Sequence, residues 1–177
     1  MSDRPEAIAA VLEDAAHYPG GHAAGVAHPR SEADVATLVG SARRVLPIGA
    51  QSSLTGGGIP MGEVVLATER FDRILDIDAE AVTVQPGVPL LALQEALARE
   101  SAFYPPAPTF EGAFAGGVVA TNAAGATTFK YGSTRDWVRH LTVVLASGDV
   151  LEIARGEVLA HPEGYFEIDT SQGRRRV

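Results

Sequence analysis

Apolar positions recur with helical spacing in three stretches of this chain, and short extended runs lie between them. Past Asp3, Pro5 and Glu6, the residues Ile8, Val11, Leu12 and Ala15 share one face. They predict a short amphipathic helix with a cap signal at Asp3, fading at Tyr18-Pro19-Gly20-Gly21. Ser31, with Asp34 three residues on, predicts the start of a second helix whose face is Val35, Leu38, Val39 and Ala42. Pro89 opens a third, with Leu90, Leu93 and Leu97 facing one way. Val45-Leu46-Pro47-Ile48, Val64-Val65-Leu66-Ala67 and Ala81-Val82-Thr83-Val84-Gln85 read as strands. Leu141–Ala146 and Val150–Ile153 flank Ser147-Gly148-Asp149, a hairpin signal. No internal repeat is present. Strands separated by helices and strands joined by a hairpin together predict a mixed α+β fold, not a regular doubly wound parallel sheet.

Composition narrows the classes. A chain of 177 residues with 46% hydrophobic and 20% charged residues suits one domain with a true core, and argues against disorder. The net charge of −8 argues against nucleic acid as a partner, because phosphates are met by a basic face. The absence of cysteine removes disulfides, thiolate metal sites and cysteine nucleophiles. The N-terminus carries acids and no apolar signal-peptide core, and no window reaches the roughly 18 apolar residues of a membrane span. A soluble, cytoplasmic protein is the expectation.

Glycine (19) and proline (11) are over-represented and concentrate in two places. The first is Gly49–Gly58, GAQSSLTGGG, directly after a predicted strand. Such a loop can present several backbone N–H groups to anionic oxygens, with Ser52, Ser53 and Thr55 hydroxyls beside them. Its spacing matches neither the P-loop nor the Rossmann fingerprint, so a phosphate nest and an ordinary glycine-rich surface loop both stay open. The second runs from about Gly112 to Gly132 and is dense in Gly, Ala and Thr. Small residues let another body approach the backbone, either a ligand or a packed neighbour. Asn122, the one amide in its core, can serve a ligand or close its own turn.

Other groups point less far. Tyr104-Pro105-Pro106-Ala107-Pro108 is a stiff extended segment that either walls a pocket or merely connects elements. His17, His22, His28, His140 and His161 show no paired ligand spacing, so no metal site is expected. Arg174-Arg175-Arg176 is expected to be solvated. No Ser-His-Asp arrangement has support in spacing.

In this order the segments resemble the flavin-binding half of the vanillyl-alcohol oxidase superfamily, the PCMH-type FAD flavoproteins. Within it they are most similar to the D-lactate dehydrogenase and glycolate oxidase FAD-subunit group. The resemblance runs from His28-Pro29 through Pro47–Gly58, Gln85-Pro86-Gly87-Val88, Pro105–Phe110, Gly116-Gly117, Asn122, Ala124-Gly125 and Lys130-Tyr131-Gly132 to the Ser147-Gly148-Asp149 hairpin. It implies a PCMH-type domain of two α+β subdomains over residues 28–177, incomplete at its C-terminal end, after a helical extension at 1–27. It also implies FAD held by Ile48, Gly49, Ala50, Gln51, Ser52, Ser53, Leu54, Thr55, Gly56 and Gly57 around the pyrophosphate. Pro106, Pro108 and Thr109 would lie beside the flavin ring, and Gly116, Gly117, Thr121, Asn122, Ala124 and Gly125 along the cofactor backbone. Ser52 stands where some relatives attach flavin through histidine, so the FAD is expected to be non-covalent.

The implied activity is oxidation of a small 2-hydroxy acid such as D-lactate or glycolate, with hydride passing to flavin N5. Electrons would go on to a quinone, a cytochrome or oxygen. Family members continue with a G-S-E-G-x-L-G segment and a substrate domain, neither of which occurs here. No catalytic acid or base is therefore assigned, and a partner subunit or further domain is expected to supply one. Two alternatives stay open: a truncated, non-catalytic flavin module that needs a partner chain, and a sugar-alcohol oxidase of the same superfamily.

Overall fold

The computed structural model describes residues 2–106 and 108–177, and Ala107, within the proline segment, lies outside them. Among the described residues fifteen short elements follow one another. Helix α1 is Pro5–Ala9, strand β1 Gly25–Ala27, helix α2 Glu32–Ser41 and strand β2 Val45–Ile48. Strands β3 (Val64–Ala67), β4 (Ile74–Ile77) and β5 (Val82–Val84) precede helix α3, Leu90–Arg99. Helices α4 (Ala115–Ala120), α5 (Thr128–Tyr131) and α6 (Thr134–Trp137) come next. Strands β6 (His140–Val144), β7 (Val150–Ala154), β8 (Glu167–Thr170) and β9 (Gly173–Arg176) complete the chain. The fold is α+β, as expected.

The first layer is a parallel sheet in the order β1-β3-β2, with Val65 paired to Val26 on one side and Leu46 on the other. Helix α2 makes the crossover between β1 and β2, which run parallel on either side of β3 and so need a long connection. Its start is the expected capping box: Ser31 Oγ accepts the Asp34 N–H at 3.1 Å, and the Asp34 carboxylate accepts the Ser31 N–H at 3.0 Å. Val26, Val65, Ile48, Ala67 and Val11 form its core. The His28 imidazole and Glu69 carboxylate are hydrogen-bonded just beyond β1 and β3.

A second core gathers Val88, Leu90, Leu93 and Leu97 with Val118 of α4, flanked by Ile74, Ile77, Val82 and Val84 of the antiparallel β4–β5 pair. All three leucines of the expected α3 face are buried. The hairpin β6–β7 is antiparallel in continuous register, and its turn lies on α2. A β-carbon on Gly148 would stand 3.0 Å from the Ala36 carbonyl oxygen and 3.7 Å from Gly40 Cα.

Three expectations change. Helix α1 ends at Ala9 and has no side-chain cap; Asp3 precedes its cap position, Arg4. Val11, expected on the helix face, instead turns into the parallel-sheet core. The small-residue region Gly112–Gly132, in which the residue pattern predicts no element, holds α4 and α5, where tertiary hydrogen bonds override the low helix propensity of glycine. The terminal arginines are exposed but paired: Arg174 Nε donates to Asp169 at 3.0 Å across the antiparallel β8–β9 ladder, and the Arg176 guanidinium lies 3.4 Å over the Tyr165 ring.

Candidate functional site

Strand β2 empties into the first glycine cluster at the carboxyl edge of the parallel sheet, where an open sheet leaves a crevice for ligands. The Thr68 N–H and hydroxyl both donate to the Ile48 carbonyl, at 3.1 and 2.9 Å, which anchors the loop's root to the end of β3. From Gly49 onward the backbone is sparsely committed. The Thr55 N–H donates to Ser53 Oγ at 3.2 Å, and the Gly58 N–H to Asp14 Oδ2 at 3.2 Å. The N–H groups of Ser52, Ser53, Leu54, Gly56 and Gly57 have no acceptor among the described residues. Ser53 and Thr55 share a hydroxyl hydrogen bond of 2.9 Å, and the Leu54 side chain is exposed. The loop carries neither Lys nor Arg.

The second cluster reaches this loop through the Pro86-Gly87 turn. Gly87 lies so close to the carbonyls of Thr68 and Phe71 that a β-carbon there would meet them at 2.1 and 2.9 Å. Pro86 O accepts the Gly116 N–H at 2.8 Å and Val88 O the Ala115 N–H at 2.9 Å, so the first turn of α4 is fastened to the turn after β5. Phe114, the α4 cap residue, packs on Gly49, whose β-carbon would sit 3.4 Å from its own. Ile48, Gly49 and Thr68 thus meet Pro86, Phe114 and Gly116 across one seam.

The small residues of α4 divide. Gly116 is small because the protein fills the space: a β-carbon would stand 2.6 Å from Pro86 Cβ. Gly117 faces open space within 4 Å and is exposed. Thr121 donates its hydroxyl to Gly117 O at 2.8 Å, within its own helix. Asn122 adopts a left-handed φ of 48°, and its Oδ1 accepts the Arg135 N–H at 2.8 Å, so its amide closes a local junction to α6. Ala124 is exposed, and the Gly125 N–H donates to Thr128 Oγ1 at 2.8 Å.

The described residues of the proline segment join this second cluster. Pro108 bridges Gly125, Pro106 is fully buried and Thr109 is exposed. Clamps invisible in the residue pattern hold it. The Gln94 side chain both donates to and accepts from the Tyr104 backbone, at 2.9 and 3.0 Å, and Thr127 Oγ1 donates to Pro105 O at 2.7 Å. Thr134, only 2% exposed, donates to Ala123 O at 2.7 Å, which leaves its oxygen to accept the Tyr104 hydroxyl at 2.8 Å. Burial holds the Tyr104 phenol above its ordinary pKa, opposed by that hydrogen bond. Asp14, which grips the first loop, also escapes a pattern reading, since its partner Gly58 is distant in sequence, while Gln51, expected in the loop, turns its amide to Val11 O and Gly58 O.

A shallow groove of about 280 Å³ lies on the other flank of α4, lined by Val119, Ala120, Asn122, Arg135, Val138, Leu141 and Arg155. It does not include the first loop. Among the described residues no group of three His, Asp or Glu side chains converges as a metal site, and no helix is long and apolar enough to cross a membrane.

Residues 23–154 match the model of a family described as FAD binding domain. The chain is 36% identical over 148 residues to a D-2-hydroxyglutarate dehydrogenase of Xanthomonas citri pv. viticola, covering 79% of this chain and 31% of that protein. It is 40% identical over 112 residues to a D-lactate dehydrogenase of Anaerostipes hadrus, covering 62% and 24%. It is 38% identical over 125 residues to the glycolate oxidase subunit GlcD of Bacillus subtilis, covering 68% and 26%. The matched part spans a quarter to a third of the length of these relatives.

Proposed function

This chain belongs to the FAD binding domain family, and from that premise we propose that it is the flavin-binding portion of an oxidoreductase acting on a small 2-hydroxy acid. The observation that carries the reading is the loop Gly49–Gly58. Its ends are fixed, and the N–H groups of Ser52, Ser53, Leu54, Gly56 and Gly57 have no acceptor among the described residues. With no Lys or Arg in the loop itself, oriented amides and hydroxyls are the donors it offers a dinucleotide diphosphate, and they act most strongly where water is excluded. FAD fits this donor set, and when bound it supplies the two-electron acceptor that the side chains lack.

In this reading the first loop holds the diphosphate, and Gly117 lets the cofactor approach α4. The segment Pro106, Pro108 and Thr109, clamped by Gln94, Thr127 and Gly125, walls the ring. The presence of two separate hydrophobic cores supports a PCMH-type arrangement of two subdomains. Ser52 offers a hydroxyl where some relatives attach flavin through histidine, in keeping with non-covalent FAD. D-2-Hydroxyglutarate, D-lactate and glycolate, the compounds in the relatives' names, share a hydroxyl beside a carboxylate, which sets the substrate class. The groups that bind that carboxylate and take the hydroxyl proton come from a further domain or a partner subunit. A quinone, a cytochrome or oxygen takes the electrons, and the cytoplasm is the compartment.

A second reading, a module that works only beside a partner chain, draws on the two-stranded ladders β4–β5 and β6–β7, where Leu75, Leu141 and Val150 are exposed. One experiment separates the two. The chain is mixed with FAD, passed through gel filtration and examined by visible absorption, then precipitated with acid. Retained, shifted flavin bands with a colourless precipitate support the cofactor portion with non-covalent FAD. A colourless protein that turns yellow only with a partner supports the module, and a yellow precipitate overturns non-covalent binding.

A further inference from the structure

We propose that Asp14 and Gln51 are positioning residues for the cofactor loop, and that the segment around Val11–Tyr18, outside the family match at 23–154, is a working part of the cofactor site. The inference rests on the reading of Gly49–Gly58 as the diphosphate loop.

Gly58, at the loop's far end, is gripped on both backbone groups. Its N–H donates to Asp14 Oδ2 at 3.2 Å, and its carbonyl accepts Gln51 Nε2 at 2.9 Å. The same Gln51 nitrogen donates to Val11 O at 2.9 Å, and Gln51 O accepts the Ala15 N–H at 2.9 Å. Asp14 Oδ1 takes the Ala16 N–H at 2.9 Å. Gly56 lies against Tyr18, whose Cβ would be 3.5 Å from a β-carbon placed there. Val11 belongs to the parallel-sheet core, so the clip is rooted in the most buried part of the molecule.

Asp14 is 4% exposed and has no Lys, Arg or His partner among the described residues. A buried carboxylate without a countercharge is costly, and an anion beside a diphosphate loop has the wrong sign for direct contact. What it does well is accept two backbone N–H groups at once. Gln51 in turn holds a left-handed φ of 49°, a conformation that glutamine rarely adopts unless its surroundings impose it. The result is a loop closed at its base by side chains, with the N–H groups in its middle left unspent. A loop ordered before the ligand arrives loses less entropy on binding.

The test uses the whole chain and the variants Asp14→Ala, Asp14→Asn and Gln51→Ala. Calorimetry with FAD and with ADP measures affinity, and amide hydrogen exchange without cofactor follows Gly58, Ala16, Val26 and Val65. Asp14→Ala and Gln51→Ala should each weaken FAD and ADP alike by about tenfold. Exchange at Gly58 should accelerate while Val26 and Val65 stay protected. Asp14→Asn keeps one acceptor oxygen and should recover part of the affinity, which a loss of bulk packing would not explain. Unchanged affinity in both alanine variants, or a loss that follows lost protection at Val26 and Val65, overturns the proposal. A wild-type chain that takes up neither FAD nor ADP overturns the reading of the loop itself, while exchange at Gly58 still reports whether Asp14 and Gln51 hold it.

Discussion

Gly49, the first residue beyond β2, lies against Phe114, the residue that caps α4, with 3.4 Å between the Phe114 β-carbon and the place a Gly49 β-carbon would take. That contact joins the root of one glycine cluster to the start of the other. At this distance alanine fits in ordinary contact, whereas valine must push α4 away. Gly49→Val is expected to destabilise the fold by about 1–3 kcal/mol and to abolish FAD retention, with Gly49→Ala close to wild type. Urea midpoints and gel-filtered absorption spectra measure both.

The neighbouring glycines of α4 should respond in opposite ways. Gly116→Ala drives a β-carbon to 2.6 Å from Pro86 Cβ and 3.1 Å from its carbonyl, and is expected to cost about 1–3 kcal/mol. Gly117→Ala enters open space in a helix and is expected to leave stability unchanged or raise it by up to about 1 kcal/mol. Its effect should appear only as weaker FAD binding. If Gly117→Ala binds FAD like wild type, the cofactor does not run along this face.

Thr134 both donates to Ala123 O and accepts from the Tyr104 hydroxyl, so its loss is felt at two buried groups. Tyr104→Phe removes one hydrogen bond, at about 1 kcal/mol. Thr134→Val leaves the phenol without its partner while Ala123 O keeps the residue-134 N–H at 3.2 Å, and is expected to cost about 1–2 kcal/mol. It should also move the Tyr104 titration further up, because the hydrogen bond that opposes burial is gone. Ultraviolet titration of the two proteins checks the direction.

Acid should loosen the turns before the cores. Backbone N–H groups hold Asp34, Glu63 and Asp78 below the ordinary carboxylate range, and the Ser147 hydroxyl does so for Asp149. A carboxyl whose folded value lies below its unfolded value contributes stability that is complete above the unfolded value and is lost as pH falls through the folded one. The urea midpoint is therefore expected to be flat from about pH 7 to 5 and to fall below about pH 4. Asp34→Asn, which weakens the α2 capping box, should flatten that acid limb in part.

Much of this was legible before any coordinates. Helices α2 and α3 announce themselves because a cap or a proline precedes a clean apolar stripe, and the Ser147-Gly148-Asp149 turn specifies its hairpin. Helix α4 does not, since AGGVVA is a poor helix former, and it forms because the carbonyls of Pro86 and Val88 take its first N–H groups. Strand β1, three residues long, carries no period to read, and β4 slips register between Ile74 and Asp76 where it pairs with β5. The first loop was visible as composition and as a family resemblance. Its fastening was not, because Asp14 meets Gly58, and Gln94 meets Tyr104, through contacts that no local pattern encodes.

Where the β6–β7 turn rests on α2, Gly148 and Gly40 put backbone against backbone. Such a joint has no rotamers to freeze and so adds no side-chain entropy to the cost of folding. It behaves like a spacer: a β-carbon at Gly148, where φ is 87°, would press on the Ala36 carbonyl at 3.0 Å, whereas one at Gly40 stays in ordinary contact, so only bulk beyond a methyl there passes into the distance between hairpin and helix. The separation between the parallel layer and the hairpin is thus set by two residues without side chains, and it can grow by mutation but scarcely shrink.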